Sequence, residues 1–125
     1  MTGRSRGFTL IELLVVMAII GTLLTIAVPR YFRSLQRSRE AVLKQDLTAM
    51  RESIDRFYGD TGSHPPTLAA LVEKHYLRSI PVDPIAKSAD KWVVVTSDDP
   101  DDGGVTDVKS GAEGTGENGV AYEAW

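Results

Sequence analysis

The run from Phe8 to Val28 is apolar except for a few small polar residues and one charge, Glu12. A run of about 20 such residues is long enough to cross the hydrocarbon core of a bilayer as a helix. Beyond Arg30 the pattern changes. Leu43, Leu47, Met50, Ile54 and Phe57 recur at steps of four, three, four and three, which is one face of a helix. The two patterns together predict a helix from Phe8 to Tyr58, about 75 Å long at 1.5 Å per residue. Pro29 stands inside it, lacks an N–H and crowds the preceding turn, so a kink or local melting is expected there. The stripe is too short for a sustained coiled coil and reads as packing against the chain's own domain.

The remainder predicts a small domain. Gly59 to Ser63 is a break, and His64-Pro65-Pro66 is stiff and extended. Thr67 is placed to cap a second helix from Leu68 to about Tyr76, with Leu68, Leu71, Val72 and Tyr76 on one side. Ile80-Pro81-Val82-Asp83-Pro84 reads as a rigid turn. Trp92 to Thr96 and Val105 to Val108 read as strands, and Val120 to Trp125 as a third. Polar residues 97–104 and the glycine-rich stretch 111–119 form the loops between them. The expected fold is α+β: a long N-terminal helix packed on a globular part with a short helix and a small antiparallel sheet.

Charge and composition narrow the function. From Arg30 to Arg56 there are seven basic and four acidic side chains; from Val82 to Trp125 there are ten acidic and three basic. The acidic C-terminal part argues against nucleic acid as a partner. The chain has no cysteine, so the domain is built without disulfides. His64 and His75 are its only histidines, and neither stands at a recognisable spacing from a serine nucleophile or phosphate loop. No catalytic residue is assigned, and the chain is read as a non-enzyme.

Glu12 asks for an explanation. A carboxylate within a membrane span costs roughly 2.5–3.5 kcal/mol near the centre and less near an end. It either snorkels to the interface or meets a cation. An ordinary cleaved signal peptide has a shorter apolar core and a small-residue cleavage site; Thr25-Ile26-Ala27-Val28-Pro29 is a poor one. A plain anchor leaves Gly7-Phe8 and Glu12 unexplained.

Gly7-Phe8-Thr9-Leu10-Ile11-Glu12-Leu13 resembles the prepilin leader junction of the type IV pilin-like superfamily. A second block strengthens the likeness: His64-Pro65-Pro66-Thr67-Leu68, then Leu71-Val72, Tyr76-Leu77 and Ile80-Pro81-Val82-Asp83-Pro84. It most resembles the major pseudopilins of type II secretion systems. The C-terminal disulfide loop of type IV pilins is missing, which also favours pseudopilins over surface pilins. The likeness implies a leader at 1–7, a transmembrane and filament-core helix at 8–28, its amphipathic continuation at 29–59 and a periplasmic globular part at 60–125. Cleavage would fall between Gly7 and Phe8, Phe8 would be N-methylated, and Glu12 would face the Phe8 amine of a neighbouring subunit. Implied partners are other pseudopilins in a polymer, a prepilin peptidase, and an inner-membrane assembly platform with its ATPase. The implied location is the inner membrane, single-pass with the N-terminus in the cytoplasm, then a periplasmic filament. Arg4 and Arg6 precede the span, but Arg30, Arg33, Arg37 and Arg39 follow it, so charge bias alone does not fix the orientation.

The likeness also implies a structural calcium ion in the C-terminal loop. Calcium takes six to eight oxygen ligands, and Ser110, Glu113, Glu117 and Asn118 are the candidates. Composition alone reads the same loop as a solvated glycine turn. The stretch Asp83 to Trp92 and the acidic loop 97–104 depart from the family pattern.

Overall fold

The computed structural model describes residues 7–125. Arg4, Arg6 and the rest of the expected leader up to residue 6 lie outside the described residues. The helix α1 runs from Leu10 to Thr61. It is continuous through Pro29, so the local melting expected there is not found. Proline costs a helix one hydrogen bond and a steric clash, about 3 kcal/mol, and the hydrogen-bonded turns on either side carry the helix through it. Within the apolar run, Thr22 donates its hydroxyl to the Ala18 carbonyl (2.8 Å) and Thr25 to the Thr22 carbonyl (2.6 Å). The two hydroxyls are thus satisfied within their own helix, as an apolar surrounding requires.

Residues up to Gln36 form one unit, and Arg37 to Trp125 form a second. In the second unit every member of the stripe is buried: Leu43, Leu47, Met50, Ile54 and Phe57. They share one core with Leu68, Leu71, Trp92, Val105, Val108, Ala112 and Tyr122. Ser53 lies among them and stays satisfied, donating to the Ala49 and Tyr76 carbonyls at 2.9 and 3.1 Å.

The short helix α2 spans Leu68–Glu73. Thr67 caps it as expected, accepting the Ala70 N–H at 3.2 Å. It ends earlier than the pattern predicted because the chain turns left-handed at His75, with φ 64°. The His75 N–H meets the Val72 carbonyl, and the Tyr76 N–H meets the Leu71 carbonyl. These paired bonds close the helix in a Schellman motif, which usually places glycine at the left-handed position.

Strands β1 (Trp92–Thr96) and β2 (Val105–Ser110) pair antiparallel, with Trp92 opposite Ser110 and Val94 opposite Val108. The expected third strand is not formed. Tyr122–Ala124 is a single 3-10 turn, and only an isolated bridge joins Thr115 to Ala121. The alternation of Val120, Tyr122 and Ala124 suggested a strand, but long-range hydrogen bonds of this segment to α1 override that local preference.

The acidic loop is tied to the Pro-Pro segment. Asp102 accepts the His64 N–H at 3.0 Å and faces the His64 ring nitrogen Nδ1 at 2.5 Å. The main-chain hydrogen bond, then the ring bond, hold the Asp102 carboxyl below the usual carboxylate range. The His64 ring stacks on Tyr58 with centroids 4.4 Å apart. Gly104 lets the two segments approach: a Cβ there would lie 2.5 Å from the His64 carbonyl oxygen.

Candidate functional site: the helix N-terminus and the C-terminal loop

Gly7, Phe8 and Thr9 precede the first helical residue, Leu10. The Gly7–Phe8 peptide bond therefore lies outside hydrogen-bonded helix, and Phe8 is 85% exposed. Thr9 organises the start: its hydroxyl accepts the Glu12 N–H at 3.1 Å, and its carbonyl accepts the Leu13 N–H at 3.1 Å. Thr9-x-x-Glu12 has the spacing of a capping box, a signal that the motif reading passed over. The carboxylate also sits in the first turn, where the helix dipole favours negative charge. Glu12 is exposed on the isolated chain, as are all the residues from Gly7 to Arg33. The helix is long and apolar enough to cross a membrane, and its apolar window has no buried part.

The C-terminal loop is built differently. The Gly116 N–H bonds the Val120 carbonyl, and the Tyr122 N–H bonds the Gly114 carbonyl. Gly116 is required by packing, since a Cβ there would lie 2.5 Å from the Trp125 ring. Three side chains of α1 then hold the loop and the segments on either side of it. Glu40, 8% exposed, accepts the Glu117 N–H at 3.1 Å and the Tyr122 hydroxyl at 2.8 Å. Arg37 pairs with the Glu117 carboxylate at 3.0 Å. Arg51 donates to Asp107 Oδ1 and to the main-chain oxygens of Val108 and Trp125, at 2.9, 3.0 and 2.6 Å. Lys44 stands 5.0 Å from the centroid of the Trp125 ring, within cation–π range.

The four calcium candidates are not brought to one point. Ser110 is fully buried; its hydroxyl donates to Asp83 and accepts the Ala112 N–H. Asp83 is equally buried and also accepts the Ile85 and Ala86 N–H groups. The Glu117 carboxylate faces Arg37, the Asn118 side-chain oxygen accepts the Val120 N–H at 3.1 Å, and Glu113 is exposed. Among the described residues no group of three or more His, Cys, Asp or Glu side chains gathers to hold a metal ion. As placed, these four side chains do not form a calcium site.

A family model, the prokaryotic N-terminal methylation motif, matches residues 2–28. Type II secretion system core protein G of Pseudomonas aeruginosa is 34% identical over 97 residues, covering 65% of this chain and 68% of the relative. The chain belongs to the type II secretion core protein G family. Core protein G of Dickeya chrysanthemi is 31% identical over 100 residues, covering 67% of this chain and 65% of the relative. The chain thus spans about two thirds of the length of these core G relatives. The type IV major pilin protein PilA of Myxococcus xanthus is 42% identical over 57 residues, covering 46% of this chain and 26% of that pilin. No solved structure matches the chain.

The family-model match over residues 2–28 covers the first block of resemblance. Sequence reasoning left Thr9, Glu40, Arg51, Asp83 and Tyr122 without a site role. The Glu40 carboxylate meets the C-terminal loop, and Lys44 lies over Trp125.

Proposed function

We propose that this chain is a structural pseudopilin subunit. It polymerises into a periplasmic filament that drives protein export by type II secretion. The observation that carries this reading is the fully exposed apolar half of α1 with one carboxylate, Glu12, in its first turn. Such a surface is stable in lipid or against copies of itself, and not in water. Moving the helix from membrane to filament core keeps that surface dry at both ends, so the transfer costs little. A prepilin peptidase would cut the accessible Gly7–Phe8 bond. The new Phe8 amine, methylated, would then offer Glu12 of a neighbour the cation that a buried carboxylate needs. Assembly would use an inner-membrane platform and its ATPase, with the N-terminus in the cytoplasm and the globular part in the periplasm.

The likeness to the M. xanthus pilin supports a second reading, a type IV pilin subunit of a surface pilus. Deleting the gene in its host and scoring exported proteins and surface filaments separates the two. Exported proteins trapped in the periplasm with pili intact support the pseudopilin. Lost pili with normal export support the pilin and contradict the first reading.

A further inference from the structure

The C-terminal segment turns two hydrogen-bond donors toward Glu40. The Glu117 main-chain N–H and the Tyr122 hydroxyl both point at one atom, Oε1 of Glu40. A cation at that position would face the positive ends of both dipoles. The carboxylate is buried, and a buried charge persists when its hydrogen bonds are made. Around it, Arg37 takes the Glu117 carboxylate and Arg51 takes Asp107, Val108 and Trp125. Of the four candidate calcium ligands, Ser110 is on Asp83, Glu117 on Arg37 and the Asn118 amide oxygen on Val120, which leaves Glu113, exposed, as the one not engaged.

We propose that Glu40 fixes the C-terminal loop to α1 in place of a cation, so that this domain folds and holds its shape independently of calcium. The proposal goes beyond the filament reading: it holds whether the filament exports proteins or forms a surface pilus.

The test is thermal unfolding of the full chain in detergent micelles, followed by tryptophan fluorescence, with added calcium chloride and with EGTA. The expected result is the same Tm in both to within about 1 °C. A Tm that falls by several degrees in EGTA and returns with calcium overturns the proposal. Glu40→Ala removes the acceptor shared by the Glu117 N–H and the Tyr122 hydroxyl, and the expected loss is about 5–10 °C. Glu40→Gln keeps the shape and one acceptor oxygen, so it folds with roughly half that loss. Both losses are expected equally with calcium and with EGTA. A Glu40→Gln or Glu40→Ala protein as stable as the wild type, or one rescued by calcium, contradicts the assignment.

Discussion

Leu13 and Leu47 lie on the same helix, yet Leu13 is 50% exposed and Leu47 is 2% exposed. The sequence around each explains the difference. Around Leu13 the apolar residues run on every side of the helix, which no single small domain can cover. Around Leu47 they form one stripe, and Leu71, Val105, Val108 and Tyr122 cover it. A helix apolar on all sides needs lipid or many neighbours, whereas a striped one needs a single partner surface. The same helix is thus left uncovered at one end and is a core element at the other.

Leu47→Ala should break the second region most severely. Loss of a buried leucine costs about 2–5 kcal/mol, a fall in Tm of roughly 10 °C or more for a domain of this size. Leu14→Ala, in the exposed run, should leave that Tm unchanged. Equal shifts for the two variants would erase the distinction.

A smaller effect tests how α2 closes over the stripe. His75 is left-handed at φ 64° and exposed, and glycine takes that conformation without strain. His75→Gly should raise stability by about 1 kcal/mol, read as an increase in Tm. A decrease would mean that the histidine side chain contributes more than its backbone costs.

The smallest effect is electrostatic. Asp46 has its carboxyl raised above the usual carboxylate range, first by burial and then by the nearby Asp83 charge. The folded state therefore holds the Asp46 proton more tightly than the unfolded chain does. Its contribution is neutral below the unfolded value, about 3.9. Stability then declines as pH rises to the elevated folded value, and the penalty is complete above it. Asp46→Asn should raise Tm by about 1–3 °C at pH 7, with the gain vanishing below about pH 4. A gain that persists or grows in acid would reverse the sign.

How much of this was legible in the sequence follows the range of the interactions. The stripe from Leu43 to Phe57, the Thr67 cap and the strand at Trp92 depend on neighbours a few residues away, and they stand where the pattern puts them. Gly7, Phe8 and Glu12 form a contiguous motif, so the family was readable as well. The C-terminal loop was not. Tyr122 finds its partner Glu40 at a separation of 82 residues, and Glu117 meets Arg37 at 80. No local alternation carries that information. Val120 to Trp125 therefore read as a strand, and Ser110, turned inward to Asp83, read as a loop ligand.

The central claim is that the exposed half of α1 is completed by other copies through Glu12. Its most direct test is the fraction of chain in sedimentable filaments, measured for wild type and Glu12→Ala expressed in a host lacking the native gene. Mass spectrometry of the N-terminus is read alongside. The account predicts that Glu12→Ala is cut after Gly7 and enters the membrane normally, yet is largely absent from filaments. Filaments in wild-type amount from the correctly processed variant would contradict it.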